Sequence, residues 1–539
     1  MTTQRYLLTT RGKAAHSGLA PEEGISAILA MMHVLQGVLQ LDRDGQRVSI
    51  EAVRGGMRPN VIAPECQAWI RVDAAGTGEI DAFHAALKSV QPVVPGASLD
   101  VEVTSDAAPA LDGDRQQAGL PVSAMASEPR SASAHDTFQP VSGRIRLGSG
   151  RDPVVLQDAV LTSAWAGELG AYLASQEAEM LAVLMELARL ETPSSQPETQ
   201  RPAFDLLARE LAKAGYNATW WPGRRAGGML LAYPGTRPRH APVQLLLGHC
   251  DTVWPVGTLE AMPVHVHDGR LSGPGVFDMK AGLVQTLFAL RALAALGLRP
   301  PATPVLLVNS DEEIGSGEST RTIEWLARIA CRAFVMEPAL GPAGKLKTAR
   351  KGVGQFRLRL AGEQSAGNAV TAELARLIQA IFDLNDLASG VSLNVGVVAG
   401  GGEVGASMSQ AELVIDARVP DFESARRVEA AVYALEPGLP SVSLETSGRV
   451  TRLPLERTAR NQALWRTAQR LGGELGLALE EGSVGGGSDG NTTSQYTATL
   501  DGLGAVGDGA HALHEHVVID AMPRRAALLA LLLLSPLAE

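Results

Sequence analysis

The sequence predicts an α/β protein: a larger domain with a mostly parallel central sheet, and two smaller ferredoxin-like domains. The order β-α-β-β-α-β occurs twice, in residues 1–110 and again in residues 350–453. Elsewhere, apolar segments of strand length alternate with segments of helical period, which is typical of α/β sheets. At 539 residues the chain exceeds what one hydrophobic core usually holds, so several domains are expected.

The two ferredoxin-like copies are predicted element by element. In the first copy the strands and helices fall at residues 6–10, 21–39, 47–53, 67–72, 78–87 and 98–103. In the second copy they fall at residues 353–360, 370–384, 391–398, 411–417, 423–435 and 441–445. The match extends to sequence: Val48-Ser49-Ile50 precedes Gly55-Gly56 at the same distance as Leu393-Asn394-Val395 precedes Gly400-Gly401. Two such domains can pair edge to edge and by their helices, which would cover exposed strand edges.

The larger domain is predicted to be discontinuous. Residues 111–153 are rich in Ser, Ala, Gly, Pro and Gln and indicate a flexible linker. Strands at 229–233, 243–247, 304–309 and 333–336, with a helix at 279–296, belong to a first part at 154–349. The second ferredoxin-like copy interrupts the domain, which resumes over residues 454–539.

Composition excludes several classes of partner. The formal net charge of -11 argues against binding to nucleic acid or to an anionic membrane surface. The start of the chain lacks the pattern of a signal peptide, and no run reaches about 18 apolar residues. Three cysteines are too few and too scattered for a disulfide framework. A reducing cytoplasm is therefore expected.

Acidic and imidazole side chains follow the predicted strands. These residues are His249, Asp278, Glu312, Glu313, Glu337 and His511. Open α/β sheets bind ligands at the carboxyl ends of their strands, so the side chains are expected to converge there. The pattern indicates a two-metal site.

The number of these side chains suits two metal ions. Catalytic zinc takes His nitrogen and carboxylate oxygen. Two ions about 3.5 to 4 Å apart need a bridging carboxylate and further ligands, roughly five side chains in all. His249, Asp278, Glu313, Glu337 and His511 supply that number. Asp251 would orient the His249 imidazole as a hydrogen-bond acceptor, and Glu312 is the candidate general base.

Each feature also has a structural interpretation. A histidine at a strand end is often a core or loop residue, and an Asp-Glu-Glu run is usually a solvated turn. Cys250 could be a nucleophile or a metal ligand, but it is expected to be a small buried hydrophobic residue. The run Gly485-Gly486-Gly487 could hold a phosphate, yet no P-loop helix follows it. The joint occurrence of the carboxylates and histidines favours the metal site.

Several motifs together resemble one known family. They are Gly248-His249-x-Asp251-Thr252-Val253, Asp278-Met279-Lys280-Ala281-Gly282, Asp311-Glu312-Glu313-x-Gly315-Ser316, Met336-Glu337-Pro338 and Gly485-Gly486-Gly487-Ser488-Asp489. Over about residues 175–539 the chain resembles the di-zinc metallopeptidase family of glutamate carboxypeptidases, acetylornithine and succinyl-diaminopimelate deacylases and aminoacylases. The likeness is to the glutamate carboxypeptidase branch, and it implies a di-zinc aminopeptidase-like catalytic domain with lid domains.

The resemblance implies a role for each matched residue. His249 and Glu337 would bind one zinc, Glu313 and His511 the other, Asp278 would bridge the two, and Glu312 would be the base. Arg418 and Arg452 match the arginines that bind the substrate carboxylate. The ions would be Zn²⁺, with Co²⁺ or Mn²⁺ as alternatives.

The two ferredoxin-like copies depart from the family in complementary ways. Family lids carry a histidine and an asparagine that reach the active site of the partner subunit. The second copy has Ala366 and Gly405 at those positions, whereas the first keeps His16 and Asn60. Conversely, the first copy has Arg71-Val72-Asp73 where the second keeps Asp416-Ala417-Arg418.

Two hypotheses from different classes follow. The first is a zinc-dependent hydrolase that cleaves an amide bond next to a free carboxylate, with His16 supplied by the same chain in a covalent pseudo-dimer. Such a chain would act as a monomer, although a homodimer stays open. The rival is an inactive zinc-binding or structural protein that retains a remnant lid at its amino terminus. No ligand or base is missing, which favours the hydrolase.

Overall fold

The computed structural model describes residues 1–18, 20–109, 160–237, 240–403 and 405–537. The predicted linker at 111–153 lies outside the described residues. The chain divides into two compact units. Unit 1 comprises the described residues up to 109 together with Lys351–Pro454, and unit 2 comprises those from 160 to Arg350 and from Leu455 onward.

The described residues form helices and strands as follows. The helices are α1 (Ala27–Leu39), α2 (Thr77–Ser89), α3 (Val160–Ser175), α4 (Glu177–Ala188), α5 (Arg201–Ala212), α6 (Thr258–Ala261), α7 (Ala281–Ala295), α8 (Thr320–Ile329), α9 (Ala369–Asp383), α10 (Phe422–Tyr433), α11 (Ala459–Glu474), α12 (Asp489–Thr493) and α13 (Ala521–Leu534). The strands are β1 (Thr2–Arg11), β2 (Gln46–Gly55), β3 (Glu65–Ala74), β4 (Ser98–Thr104), β5 (Tyr216–Trp221), β6 (Met229–Pro234), β7 (Val243–His249), β8 (His265–His267), β9 (Arg270–Ser272), β10 (Thr303–Asn309), β11 (Ala330–Val335), β12 (Leu346–Arg350), β13 (Gly352–Gly362), β14 (Ser392–Gly401), β15 (Gln410–Val419), β16 (Val442–Arg452), β17 (Glu481–Val484), β18 (Ala498–Leu500), β19 (Gly507–Asp508) and β20 (His516–Val518).

Unit 1 is built on one antiparallel sheet with the strand order β16-β13-β15-β14-β2-β3-β1-β4. Every strand and helix predicted for the two β-α-β-β-α-β copies overlaps an observed one. The predicted helix at 21–39 was wrong at its start. Pro21–Glu23 forms a separate 3-10 turn, and Gly24 after it is extended. The Ser26 side chain then caps α1 by accepting from the Leu29 N–H.

The two halves of unit 1 meet through equivalent elements. Strand β2 of the first half pairs antiparallel with β14 of the second, and helix α1 packs against α9. The amide side chains of Gln36 on α1 and Gln379 on α9 hydrogen-bond to each other. Buried apolar residues of both halves belong to one continuous hydrophobic core. The pairing covers one edge strand of each half, as sheet proteins commonly require.

Unit 2 contains a six-stranded sheet with the order β18-β11-β7-β10-β6-β5. The four strands β18, β11, β7 and β10 run parallel to one another, whereas β6 and β5 pair antiparallel. The sheet is therefore mixed. Leu246 of β7 faces a core shared with α7 and α13, while Leu245 and Leu247 face a second core that includes α8. Burial on both faces explains why β7 is apolar from Leu245 to Leu247, while the buried Gln244 donates to the backbone carbonyls of Ala302 and Leu533.

The helices of unit 2 include the apolar α13, which is buried in the larger core. Within the described ranges, no helix combines the length and the apolar character needed to cross a membrane. A small four-stranded sheet, β19-β20-β9-β8, completes this unit, and the loop between β19 and β20 carries His511.

Candidate metal centre and active site

The parallel strands of unit 2 bring three of the five predicted ligands, His249, Glu313 and Glu337, to one edge. His249 is the last residue of β7, which lies between β10 and β11. Glu312 and Glu313 form a 3-10 turn just after β10, and Glu337 follows the end of β11. Because these three strands are parallel, their carboxyl ends share one side of the sheet.

Asp278 lies at the centre of the cluster. One of its carboxylate oxygens, Oδ1, is 3.3 Å from Nε2 of His249, and the other, Oδ2, is 3.5 Å from Nε2 of His511. His249 Nε2 is also 3.6 Å from Glu337 Oε1, and His511 Nε2 is 3.1 Å from Glu313. The structure thus brings all five predicted ligands together, and each carboxylate oxygen of Asp278 lies near one of the two imidazoles.

Two buried atoms of the cluster have no hydrogen-bond partner. They are His249 Nε2 and Asp278 Oδ1. Buried polar atoms are almost always satisfied, so such a pair calls for an explanation. Two sets of three residues bring potential ligand atoms within 4.8 Å of one another: His249, Asp278 and Glu313, and His249, Glu312 and Glu337. These donors are imidazole nitrogen and carboxylate oxygen, which fit divalent zinc and similar ions.

Asp251 links the two sides of the cluster. His249 Nδ1 lies 3.0 Å from the backbone carbonyl oxygen of Asp251 and 3.4 Å from its Oδ1. The Asp251 carboxylate accepts from the Ser194 hydroxyl at 2.7 Å and from the Glu313 backbone N–H at 3.1 Å. Because Nδ1 faces Asp251, the imidazole turns its Nε2 toward Asp278 and Glu337.

The charges of the cluster are strongly coupled. Burial alone would lower the pKa of His511, but hydrogen bonds to Asp278 and Glu313 outweigh it and raise this pKa to about 11. Burial alone would likewise raise the pKa of Asp278, yet the neighbouring imidazoles of His249 and His511 outweigh it and hold this pKa below its usual value. In the absence of metal, the two imidazoles therefore keep their protons beside ionised carboxylate.

Arginine and glutamate residues that the sequence analysis missed support the ligands. Arg350 donates to Glu337 at 2.8 Å and to Asp501 through Nε at 2.8 Å. Glu515 accepts from the backbone N–H groups of Phe277 and Asp278. Their partners lie between 13 and 238 residues away in the chain, and none shares a short motif with them. No local pattern could have identified them.

The structural alternatives for two other motifs can now be assessed. Cys250 is fully buried within the hydrophobic core, and burial raises the pKa of its thiol. A thiol in that setting is a poor nucleophile. The carbonyl groups of Gly486 and Gly487 accept from Arg350, so part of the glycine run faces a cation. A phosphate needs N–H groups turned toward it, whereas this part of the run turns its carbonyl oxygens toward an arginine that is already paired.

Unit 1 brings together His16, Asn60 and Arg418. The Ser17 hydroxyl, next to His16, donates to Asp416 at 2.7 Å, and Asp416 in turn accepts from Nε of Arg418 at 2.8 Å. The backbone carbonyl oxygen of Asn60 accepts from the backbone N–H of Ser17 at 3.0 Å. His16 and Asn60 belong to the first half of the unit and Arg418 to the second.

Arg452 lies at the same end of the sheet. Arg418 on β15 and Arg452 on β16 are both register partners of Val353 on β13, one on each side. The two arginines thus flank one residue of the intervening strand. Hydrogen bonds of Ser17 and Asp416 connect the His16 and Asn60 segments to Arg418, and strand β13 lies between Arg418 and Arg452.

Comparison with known proteins gives the family. Residues 245–535 match the profile of peptidase family M20/M25/M40, and residues 4–91 match the peptidase dimerisation domain. The chain is 26% identical to carboxypeptidase G2 of Pseudomonas sp. (strain RS-16) over 382 residues, which cover 67% of this chain and 89% of the relative. It is 27% identical to a succinyl-diaminopimelate desuccinylase of Acidovorax ebreus (strain TPSY), covering 61% and 92%.

Solved structures support the fold. An M20 family metallo-carboxypeptidase from Sulfolobus solfataricus aligns with a TM-score of 0.52 and 18% identity, over 66% of this chain and 99% of that chain. A dinuclear metal binding peptidase of the M20 family from Bacillus subtilis aligns with a TM-score of 0.50 and 14% identity, over 67% and 98%. The first family profile alone spans more than half of the sequence. The chain is therefore a member of peptidase family M20/M25/M40, a family of metal-dependent hydrolases.

Proposed function

We propose that the protein hydrolyses an amide bond next to a free carboxylate, either as a glutamate-carboxypeptidase-like enzyme or as an N-acyl-amino-acid deacylase. The observation that carries the proposal is the cluster of unit 2, in which Asp278 presents one oxygen to His249 and the other to His511. The two relatives compared above are named as a carboxypeptidase and as a desuccinylase, which supports a hydrolase of one of these two kinds.

Five side chains would hold two Zn²⁺ ions. His249 and Glu337 would hold one ion and Glu313 and His511 the other, with Asp278 shared between the two pairs. When bound, the ions would supply Lewis acidity toward the amide carbonyl and toward a water molecule. Co²⁺ and Mn²⁺ offer the same chemistry to these donors. Asp251 contributes by fixing the His249 ring, and Arg350 by compensating the charge of Glu337.

Glu312 is the general base in this proposal. Its carboxylate oxygen groups with ligand atoms of His249 and Glu337, and its backbone N–H donates to Asp251 at 3.3 Å. It thus sits beside the cluster without being needed for the five-ligand set. Its carboxylate would take the proton of the attacking water and deliver it to the leaving amine nitrogen.

The first half of unit 1 would complete the site. In our proposal residues 1–110 and 350–453 are two lid domains, and the chain is a covalent pseudo-dimer. Equivalent elements meet in unit 1, β2 with β14 and α1 with α9, which is the self-complementary arrangement of two-fold dimers. His16 would donate to the oxyanion that forms at the amide carbon, with Asn60 beside it. A monomeric chain would then be active.

Arginine side chains would bind the free carboxylate of the substrate. Guanidinium forms paired, charge-assisted hydrogen bonds with carboxylate. Arg418 is buried and held by Asp416 through Nε and Nη2, which orients the guanidinium. Arg452 flanks the same strand residue and would supply the second cation.

The proposal is tested by replacing the base. Glu312→Gln should keep bound metal at wild-type stoichiometry, since no ligand is lost, while kcat on N-acyl-glutamates falls about 10²- to 10⁴-fold. The exposed Glu260→Gln is the matched control and should retain full activity. More than a tenth of the wild-type kcat in Glu312→Gln would contradict the base assignment. A wild-type protein that binds zinc without turnover would favour the rival, an inactive zinc-binding protein.

A further inference from the structure

The hairpin of strands β8 and β9 in unit 2 carries two histidines that the proposed reaction does not use. His265 and His267 lie two residues apart on β8, and both are exposed. Because side chains alternate along a strand, the two imidazoles project from the same face. Val266 between them is the register partner of Leu271, which belongs to the larger core of unit 2, so the histidine face is the one turned to solvent.

The hairpin holds this pair in a defined arrangement. Asp268 and Gly269 connect the two strands with positive φ angles of 48° and 72°, which are typical of a two-residue type I′ turn. The ring centroids of His265 and His267 are 6.0 Å apart. Two imidazoles that bind one ion at about 2.0 to 2.1 Å have centroids about 5 Å apart, so a small rotation of two exposed side chains is enough.

Both imidazoles present a nitrogen that a metal ion can bind. Nδ1 of His265 lies 2.9 Å from the backbone carbonyl oxygen of Pro263, and Nδ1 of His267 lies 3.0 Å from Oδ2 of Asp268. Carbonyl and carboxylate oxygens only accept hydrogen bonds, so Nδ1 carries the proton in each neutral ring and the lone pair is on Nε2. Metal-binding histidines commonly have this arrangement, in which the other nitrogen donates to a carbonyl or a carboxylate.

The neighbouring charges and side chains define the extent of the site. Arg270, the register partner of His267, is exposed, and the Asp268 carboxylate beside His267 offsets its charge. His516 on β20 shares the histidine face, but a residue of β9 lies between it and His265, which places it two strand spacings away, roughly 10 Å. His265 and His267 are therefore the two side chains that can share one ion.

We propose that His265 and His267 bind a divalent transition-metal ion, separate from the ions of the proposed dinuclear centre. Imidazole nitrogen favours zinc, nickel and copper, whereas magnesium and calcium prefer oxygen ligands. Water would complete the coordination at this exposed position. Asp268 would act through His267, because its carboxylate orients the ring. The proposal uses none of the residues assigned to hydrolysis, so it does not depend on the proposed function.

The test measures Ni²⁺ binding to the untagged, zinc-loaded protein by equilibrium dialysis, with nickel and zinc counted in the same sample. We expect one Ni²⁺ to bind per chain without release of zinc. His265→Gln and His267→Gln should each weaken Ni²⁺ binding at least about 10-fold, because each removes one of two ligands. Asp268→Asn should weaken it about 10-fold through the loss of the carboxylate beside His267. His240→Gln, at another exposed histidine, is the control and should leave the Ni²⁺ affinity unchanged.

Several results would overturn the proposal. Ni²⁺ might fail to bind the wild-type protein, or it might bind only as an equal amount of zinc is released. Equal Ni²⁺ binding by the wild type and by a variant that carries both His265→Gln and His267→Gln would place the ion elsewhere, and so would an equal loss in the His240→Gln control. A zinc content below two ions per chain would instead contradict the proposed dinuclear centre, and the comparison of Ni²⁺ affinities would still decide the present proposal.

Discussion

Single residues of the metal centre hold protons at the positions where ions would bind. His511 has a pKa of about 11, because hydrogen bonds to Asp278 and Glu313 outweigh the effect of burial. The pKa of His249 is raised as well: burial opposes the charged form, but contacts with Asp251, Asp278 and Glu337 outweigh it. An imidazole must be neutral to bind a metal ion, so protons and ions compete for the same nitrogens.

This competition predicts the pH dependence of metal affinity. Between pH 6 and 8 the metal-free protein keeps its proton on His511, and each ion that binds there must displace one. The apparent affinity for zinc should therefore rise about tenfold per pH unit for each proton released, and the rise should end only near pH 11. Chelator-competition titrations at several pH values measure the slope. His511→Ala is expected to show a smaller slope, and an affinity independent of pH would contradict the assignment.

Residue identity at the strand ends could be predicted, but the supporting contacts could not. His249, Glu313 and Glu337 follow apolar strand segments, and parallel pairing then brings them to one edge. Arg350 and Glu515 depend on partners far away in the sequence, so no pattern of spacing reveals them. Three-dimensional packing, not local sequence, determines that part of the site.

At the scale of elements, strands β2 and β14 each contain a β-bulge at an equivalent residue. The irregularity falls at Glu51 in the first and at Gly396 in the second. Gly396 lies against the loop that carries Asn60: a Cβ there would be 2.2 Å from the Pro59 carbonyl oxygen. Glu51 instead has a buried side chain, 3.5 Å from Arg5 and 3.6 Å from Arg71. The two halves of unit 1 thus differ at equivalent positions of two equivalent strands.

The close approach at Gly396 gives a prediction. Gly396→Ala should push the Asn60 loop away, which should cost about 1 to 3 kcal/mol in the free energy of unfolding and lower kcat. The control is Gly78→Ala on helix α2 of the same unit, where an added Cβ would meet nothing within 4 Å. That change should leave the unfolding free energy equal or slightly higher. Chemical denaturation and steady-state kinetics on both variants measure the effect, and equal stabilities would show that the loop can shift at no cost.

Elements were predicted better than their boundaries and pairings. Hydrophobic alternation fits strands such as β3, which buries one face, whereas β2, β14 and β15 are buried over most of their length. The division of residues 21–39 into a turn and a helix depended on Gly24 and on the Ser26 cap. In unit 2 the antiparallel strands β5 and β6 make the sheet mixed. Strand direction is not encoded in hydrophobic period, so the expectation of a mostly parallel sheet could not have anticipated them.

For the whole molecule, the complementary differences between the two halves suggest that one active site is served per chain. His16 and Asn60 remain in the first half, and Arg418, which they adjoin through Ser17 and Asp416, remains in the second. The equivalent positions of the opposite site hold Ala366, Gly405 and Asp73. At these equivalent positions Arg71 donates to the backbone carbonyl oxygen of Gly405 and forms a salt bridge with Asp73.

A single catalytic unit would explain this asymmetry. Only one of the two equivalent positions in a pseudo-dimer would then have substrate to act on, and the other would be free to lose its functional groups. The shared hydrophobic core of the two halves argues that the first half is an integral part of unit 1. Its retention of His16 would then be functional.

The most direct test of this account is the kcat of His16→Ala, measured on an N-acyl-glutamate with zinc in excess. We expect kcat to fall about 10²- to 10³-fold at unchanged metal content, as is typical for loss of one oxyanion donor. The exposed His240→Ala is the matched control and should keep the wild-type kcat. An unchanged kcat in His16→Ala would contradict the account, because the amino-terminal half would then take no part in the reaction.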